Sequence, residues 1–242
     1  MDNLFEQTIT VGPSLCDAAG LLSYHDAFGV CMDVAATHAQ TLGCGIYDLS
    51  SRGLFWITVK THLSFFERPR MMERVTLRTW PEAPGKLRGN RSYEMRRGGQ
   101  LLISGKTEWA VMQMQTKQLV FLSDVYPPEL TFLPDSASPA PFARIPDDFD
   151  GCEPFASYTV RSTDIDVGGH MNNAAYLRAV FGAFSNEALR GTDIGRVDIH
   201  FRSSCYEGET LSLQQKAWDG GTDLRISKPD GTTAALLRLA AK

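Results

Sequence analysis

The stretch Ser123–Pro154, SDVYPPELTFLPDSASPAPFARIPDDFDGCEP, contains seven of the twelve prolines of the chain. Proline has no backbone N–H and restricts the residue before it, so this segment is not expected to form the interior of a sheet or a helix. It is predicted to be a linker over residues 123–154. The same order of predicted elements occurs on its two sides, which indicates an N-terminal unit over residues 1–122 and a C-terminal unit over residues 155–242.

Each half is predicted to contain a strand followed by one long amphipathic helix. The helices are expected over residues 23–42 and 172–189, because side chains that suit a buried face recur there at i, i+3, i+7, i+10 and i+14. A stripe of this spacing lies on one side of a helix and packs against another layer. The two stripes are Phe28, Cys31, Ala35, His38 and Leu42, and Ala174, Leu177, Phe181, Phe184 and Ala188.

Strand-forming residues and glycine-containing turns fill the rest of each half. A single striped helix and a run of antiparallel strands pack most economically when the sheet wraps around the helix. The predicted fold class is therefore α+β, with two β-α-β-β-β-β units in which antiparallel sheet wraps each long helix. The predicted strands are residues 5–11, 54–66, 74–80, 90–97 and 100–114, then 155–162, 196–203, 210–218, 222–228 and 232–239.

Composition limits the classes of partner. The chain has 242 residues, of which 43% are hydrophobic, and a formal net charge of -4. A mildly acidic surface does not favour nucleic acid or an anionic membrane. Met1 is followed by Asp2 rather than by a basic and apolar leader, and no window approaches the roughly 18 apolar residues of a membrane span. A cytoplasmic location without membrane association is expected.

Metal and nucleotide sites have no local support in the sequence. The five cysteines are an odd number without a C-x-x-C pair, and the five histidines show no H-x-x-x-H spacing. These patterns fit neither a disulfide framework nor a zinc site. No glycine-rich phosphate loop is present, so no cofactor and no metal are expected.

The segment Ser162–Tyr176, STDIDVGGHMNNAAY, concentrates polar side chains between a predicted strand and a predicted helix. The free amides at the start of a helix suit a carbonyl oxygen that acquires negative charge. The alternative is structural: Asp164 and Asp166 shape a turn, Asn172 or Asn173 caps the helix, and His170 is a hydrogen-bonded loop residue. The residue types alone leave both interpretations open.

The part of this segment that begins at Asp166, DVGGHMNNAAY, resembles the D-x-N-x-H-x-N-N-x-x-Y motif of the acyl-acyl-carrier-protein thioesterases, the plant and bacterial enzymes with a double hotdog fold. Two stretches of the first half, LFWITVKTHL at 54–63 and RVTLRTWP at 74–81, also resemble conserved stretches of that family. The resemblance implies a tandem hotdog fold and an acyl-carrier-protein (ACP) thioesterase that releases free fatty acid. Acyl-CoA hydrolysis by the same fold and a non-catalytic acyl- or ACP-binding protein are the alternatives.

The resemblance implies Asp166, His170 and Cys205 as catalytic residues, and Asn172, Asn173 and Trp56 are predicted to bind substrate. Two positions differ from the family: Gly168 replaces the motif's asparagine, and Ser204 replaces the acidic residue that often precedes the cysteine in the plant enzymes. Cys205 has three possible roles: nucleophile, bystander beside a water-based mechanism, or small core residue. The water mechanism is favoured, because the motif's asparagine that would orient the imidazole is missing.

A basic segment, Arg68–Arg97, contains nine lysines and arginines, whereas residues 67–97 contain four glutamates. Most such runs are solvated faces, but this one is predicted to attract the acidic surface of ACP or phosphopantetheine. Two hotdog units in one chain are compatible with a monomer or a homodimer.

Overall fold

The computed structural model describes residues 3–242 and divides into two compact units, the first ending at Ala140 and the second running from Pro141 to Lys242. The boundary falls inside the proline-rich segment. No helix or strand begins between residues 125 and 153. The segment packs against the units on both sides of this boundary, since Leu130 joins an apolar cluster of the first unit and Phe149 joins one of the second.

The first unit is one antiparallel sheet with a long helix. Its sheet order is β1-β3-β4-β5-β2, and a short β6 pairs with β5. Gly98, with φ of 57°, forms the tight turn between β4 and β5. The elements are β1 Phe5–Thr10, α1 Tyr24–Thr41, α2 Ile46–Ser51, β2 Leu54–Phe65, β3 Arg74–Pro81, β4 Gly89–Arg97, β5 Gln100–Gln113 and β6 Leu119–Val120.

The second unit repeats this topology. Its strands pair antiparallel in the order β7-β9-β10-β11-β8, which corresponds strand for strand to the first sheet. The predicted order of elements, one strand and helix followed by four strands, is therefore confirmed in each half. The elements are β7 Pro154–Thr159, α3 Asn173–Gly182, α4 Asn186–Arg190, β8 Ile194–Phe201, β9 Thr210–Trp218, β10 Gly221–Ser227 and β11 Thr233–Ala241.

The first predicted helix is confirmed with its stripe. Ser23 caps α1, because its hydroxyl accepts the Asp26 N–H. All five predicted stripe residues are buried, with exposures between 1% and 3%. The helix packs against β3, and His38 stacks on the Phe5 ring of β1.

The second predicted helix is wrong over its C-terminal third. The structure ends α3 at Gly182 and begins α4 after Ser185, whose hydroxyl accepts the Ala188 N–H. Glycine is a poor helix former and serine competes for backbone bonds by capping, so this sequence interrupts the helix. Ala188 is consequently exposed, although Leu177 and Phe181 are buried as predicted.

No helix within residues 3–242 is long and apolar enough to cross a membrane.

Candidate active site

The loop before α3 is a tight turn closed by backbone hydrogen bonds. The Asp166 N–H donates to the His170 carbonyl at 3.0 Å, and the Gly169 N–H donates to the Asp166 carbonyl at 3.0 Å. Gly169 has φ of 78°, which glycine adopts without strain. Residues 165 and 171 form an antiparallel bridge at the base of the turn. This frame places Asp166 and His170 on one side of the loop.

Asp166 and His170 face each other across the turn. Their Oδ1 and Nδ1 atoms are 3.6 Å apart, which is an ion-pair distance but too long for a hydrogen bond, and their side chains are 34% and 31% exposed. Asp166 Oδ1 also accepts the Gly168 N–H at 2.7 Å. A Cβ atom at position 168 would lie 3.0 Å from both Asp166 Oδ1 and His170 Nε2. The two side chains thus converge on the space over Gly168, which glycine leaves open.

Asp164 is structural, as one of the sequence interpretations proposed. It is 2% exposed, and its Oδ2 atom accepts the Tyr158 hydroxyl and the Arg161 N–H, each at 2.8 Å. Burial, followed by this bond to Asp164, raises the pKa of Tyr158. The two acidic side chains of the motif therefore differ: Asp164 holds the loop from inside, and Asp166 is accessible.

The N-terminus of α3 lies directly after the turn. Asn172 is the cap, because its Oδ1 atom accepts the Ala175 N–H at 2.9 Å, and its own N–H donates to the Asp164 carbonyl at 2.8 Å. Asn173 is the first helical residue and is half-buried. The helix therefore begins three residues after His170, and a helix N-terminus favours negative charge.

Cys205 is attached to the same loop through its backbone. Its carbonyl accepts the Met171 N–H at 2.8 Å, and its own N–H donates to the Tyr176 hydroxyl at 3.2 Å. The residue has no exposed surface, and burial raises the pKa of its thiol. Within residues 3–242 no hydrogen bond connects this thiol to His170.

Tyr176 is a site residue to which the sequence reasoning gave no role. Its hydroxyl donates to the Ser203 carbonyl at 3.3 Å, and its ring packs edge-on against Phe201 at the end of β8. The sequence could have indicated this residue, because Tyr176 follows the cap Asn172 by four residues and therefore lies on the same helix face.

Trp56 belongs to the first unit. Its indole N–H donates to the Cys44 carbonyl at 2.8 Å, and its ring contacts Trp109 and Tyr126. Its role in substrate binding stays a prediction.

The first unit contains the same loop without the same chemistry. The Asp17 N–H donates to the Leu21 carbonyl at 2.8 Å, as Asp166 does to His170, and Ser23 caps α1 as Asn172 caps α3. Leu21 thus occupies the position of His170. Asp17 is paired with Arg68 Nη1, so its carboxylate is already neutralised. Of the two turns, residues 17–21 and 166–170, only the second contains a histidine beside its aspartate. The His25–Asp26 pair of the first unit, at 3.2 Å, lies in the first turn of α1 instead.

The basic segment is largely neutralised by neighbouring glutamates. Arg88 pairs with Glu108 on the neighbouring strand, Arg96 with Glu94 on its own strand, and Arg68 with Asp17 of a loop. Arg91 is buried at 5% exposure. The exposed members without an ion pair among residues 3–242 are Arg70, Arg74 and Lys86, whereas the paired ones are Arg68, Arg78, Arg88, Arg96 and Arg97.

Curated plant proteins are similar to most of the chain. A chloroplastic oleoyl-acyl carrier protein thioesterase 2 of Arabidopsis thaliana is 21% identical over 228 residues, which covers 85% of this chain and 61% of the relative. A chloroplastic oleoyl-acyl carrier protein thioesterase of Coriandrum sativum is 22% identical, and the match covers 83% of this chain and 58% of that protein. The chain therefore spans about three fifths of the length of these relatives.

Solved structures match over nearly the whole chain. An acyl-ACP thioesterase from Bacteroides thetaiotaomicron superposes with a TM-score of 0.90 at 19% identity, covering 99% of this chain and 98% of that chain. A 12:0-ACP thioesterase from Umbellularia californica gives 0.84 at 17% identity, covering 100% and 98%. These matches confirm the predicted tandem hotdog fold.

Family models match both units. The model of the acyl-ACP thioesterase N-terminal domain matches residues 2–127, and that of the C-terminal domain matches residues 152–236. Together the two matches cover most of the 242 residues and leave out mainly the proline-rich segment. The chain belongs to the acyl-ACP thioesterase family.

Proposed function

We propose that the chain hydrolyses fatty acyl thioesters of ACP and releases free fatty acid. The observation that carries this proposal is the pairing of Asp166 with His170 at 3.6 Å, directly before the N-terminus of α3. Thioester hydrolysis needs a base for water and a donor for the carbonyl oxygen, and these groups supply both. The equivalent loop of the first unit lacks the histidine, so the proposed chemistry belongs to the second unit.

The proposed reaction begins with water over Gly168. His170, with Asp166 beside it, takes a proton from this water as its oxygen attacks the thioester carbon. The carbonyl oxygen becomes an oxyanion, which the first amides of α3 stabilise. The C–S bond then breaks, and the imidazolium returns the proton to the departing thiolate sulfur. The products are a fatty acid and the carrier thiol, and Asp166 keeps its charge throughout.

Cys205 is proposed to support this site without attacking the substrate. Its thiol is fully buried, and burial raises its pKa, so the thiolate is scarce at neutral pH. Its backbone, by contrast, bonds to Met171 and Tyr176. Asn172 and Asn173 are proposed to contribute through the helix terminus that they form, and Trp56 remains a predicted substrate contact.

Two observations support ACP as the carrier: membership of the family, and the exposed cations Arg70, Arg74 and Lys86. An acidic carrier surface would be attracted to these side chains. We expect the double variant Arg70→Glu/Arg74→Glu to raise KM for acyl-ACP severalfold and to leave KM for acyl-CoA unchanged. Arg88→Glu is the matched control, because Arg88 is exposed but already paired with Glu108. An equal rise in KM for acyl-ACP and acyl-CoA would contradict a role of Arg70 and Arg74 in docking ACP.

Fatty acid release from acyl-ACP and acyl-CoA of matched, graded chain length tests the function. We expect kcat/KM for acyl-ACP to exceed that for acyl-CoA at least tenfold. Equal kcat/KM values for the two substrates would support thioester hydrolysis but contradict ACP as the preferred carrier. Tight binding of acyl-ACP without release would instead favour a non-catalytic acyl-binding protein. A cytoplasmic location and a monomer or homodimer stay predictions from the sequence.

A further inference from the structure

Lys228 is a partly buried cation that the proposed reaction does not use. It lies in the turn between β10 and β11, and its side chain is 14% exposed. Its Nζ atom donates to the Ser204 carbonyl at 3.1 Å, pairs with Glu209 Oε1 at 3.2 Å and lies 5.5 Å from the centre of the Tyr206 ring. All three partners belong to the Cys205 segment, residues 203–209. Burial alone would lower the pKa of Lys228, but its hydrogen bond to Glu209 and the charge of that carboxylate outweigh burial and raise the pKa.

Lys228 and Tyr176 hold the two ends of one peptide group. The carbonyl to which Lys228 donates and the Cys205 N–H belong to the same planar group, and this N–H donates to the Tyr176 hydroxyl at 3.2 Å. The next carbonyl, that of Cys205, accepts the Met171 N–H at 2.8 Å, and Met171 directly follows His170. Lys228 is thus connected to the catalytic loop through one peptide group and one backbone hydrogen bond.

The first unit contains an equivalent ion pair with a different cation. Glu73 and Glu209 are equivalent, because the carbonyl of each accepts a backbone N–H at 2.9 Å from the valine that follows the first strand of its unit. Arg97 pairs with Glu73 as Lys228 pairs with Glu209, each at 3.2 Å. Within residues 3–242 the Arg97 guanidinium bonds only to side chains, whereas Lys228 also donates to a backbone carbonyl. The contact with the backbone is therefore found in the unit to which we assign the chemistry.

From these contacts we propose that Lys228, paired with Glu209, is a positioning residue for thioester hydrolysis. Its ammonium holds the peptide group before Cys205 in one orientation, so that the Cys205 carbonyl fixes the Met171 end of the catalytic loop. Without the ammonium this peptide group has lost its partner at the carbonyl end, and the His170 imidazole is held less firmly. The kinetic consequence rests on the proposed function, whereas the effect on the backbone does not.

Steady-state hydrolysis of acyl-ACP tests the kinetic consequence. We expect Lys228→Met to lower kcat about tenfold at unchanged KM, because displacing a catalytic group slows the reaction without removing a substrate contact. Lys228→Arg keeps the positive charge and should recover about half of the wild-type kcat or more. A rise in KM at unchanged kcat would make Lys228 a substrate contact and overturn the proposal. So would an unchanged kcat in Lys228→Met, or a kcat in Lys228→Arg no higher than in Lys228→Met.

Lys216→Met is the matched control. Lys216 lies in the same unit and makes the same kinds of contact, since its Nζ atom donates to the Asp148 carbonyl at 3.0 Å and pairs with the Oδ2 atom of that residue at 3.1 Å. These contacts do not involve the Cys205 segment. We therefore expect kcat to stay near wild type in Lys216→Met, and a loss as large as that in Lys228→Met would overturn the assignment to this segment.

Hydrogen exchange of the Met171 amide tests the proposal without turnover. In folded Lys228→Met this amide should exchange at least about fivefold faster than in wild type, while the amide of Leu236, buried on β11, keeps its rate. Equal acceleration of both amides would indicate general destabilisation and overturn the proposal. If wild type releases no fatty acid, the proposed function fails, and the exchange experiment still decides the inference. Faster exchange at Met171 alone would then support it, and unchanged exchange would overturn it.

Discussion

Burial decides the chemical state of Cys205. Removal from water disfavours the thiolate and raises the pKa of this thiol, with Glu209 adding to the effect and Tyr176 and Lys228 opposing it. A thiol with a raised pKa is protonated at neutral pH and gains its charge only in more alkaline solution. We therefore expect the cysteine that the family resemblance marks as catalytic to be a weak nucleophile in this chain.

We expect Cys205→Ala to retain more than about a tenth of wild-type turnover, because the attacking water and its base do not involve the thiol. Mass spectrometry after rapid quench should find no acyl group on Cys205. Iodoacetamide should label Cys205 far more slowly than the half-exposed Cys152 at pH 7, with a rate that rises as pH increases. An acyl adduct on Cys205 would establish it as the nucleophile.

Gly168 and Gly169 are adjacent but have different tasks. We expect Gly168→Ala to lower turnover about tenfold with little change in stability, because the new Cβ would displace Asp166 and His170 by a few tenths of an ångström. Gly169→Ala should instead reduce the free energy of unfolding by about 1–2 kcal/mol, because alanine is strained at a φ of 78°. The space around Gly169 is open, so no steric clash adds to this strain. Kinetics and denaturant titrations on both variants distinguish these effects, and identical profiles would contradict the geometry.

At the scale of elements, Tyr176 ties α3 to the segment that follows β8. Its hydroxyl accepts the Cys205 N–H and donates to the Ser203 carbonyl. Together with the bond from the Met171 N–H to the Cys205 carbonyl, this side chain holds the start of α3 against the Cys205 segment.

We expect Tyr176→Phe to lower the free energy of unfolding by about 1–3 kcal/mol, because it leaves a buried N–H without its acceptor. Turnover should fall while KM stays close to wild type, since the tyrosine positions groups around the reaction and does not bind substrate. Cys205 should also react faster with iodoacetamide as its segment loosens. Unchanged turnover and labelling would show that the hydroxyl has only a stabilising role.

The sequence predicted most elements because their patterns are local. The stripe of α1 and the alternating strands follow from periodicity, and the turn glycines follow from composition. The end of α3 at Gly182 was missed because the apolar spacing continues past it, whereas capping by Ser185 decides the boundary. The motif also predicted that Asp166 and His170 lie in one site, and the structure places them 3.6 Å apart. The cap role of Asn172, the burial of Cys205 and the bonds of Tyr176 depend on tertiary packing, which the order of residues does not contain.

At the scale of the whole molecule, the two units share one loop frame, and the second unit carries the Asp166–His170 pair on it. Burial alone would raise the pKa of Asp17, but hydrogen bonds from Arg68 and from the Leu21 and Ala19 amides outweigh it and lower the pKa. A carboxyl whose pKa is lower in the folded state stabilises the fold above its unfolded pKa, and this contribution is lost as pH falls through the folded value. In the first unit the aspartate has thus become a structural residue.

We expect Asp17→Asn to lower the free energy of unfolding at pH 7 by up to about 1 kcal/mol, a value reduced by solvent screening of this partly exposed pair. The difference from wild type should shrink as pH falls from about 4, where Asp17 protonates in the unfolded chain, towards its lower pKa in the folded protein. Denaturant titrations of wild type and Asp17→Asn between pH 7 and pH 2.5 measure this difference in the free energy of unfolding. A difference that persists at the lowest pH would mean that the charge of Asp17 is not the cause.

The most direct test of thioester hydrolysis by the second unit is single-turnover release of free fatty acid from acyl-ACP by four chains. These are wild type, Asp166→Ala, His170→Ala and the first-unit control Asp17→Asn. We expect each second-unit variant to release fatty acid at least about a hundredfold more slowly than wild type, the loss typical of a positioned acid-base group, and the control to remain near wild type. Near-normal release by Asp166→Ala or His170→Ala in folded protein would contradict the assignment of the chemistry to this loop.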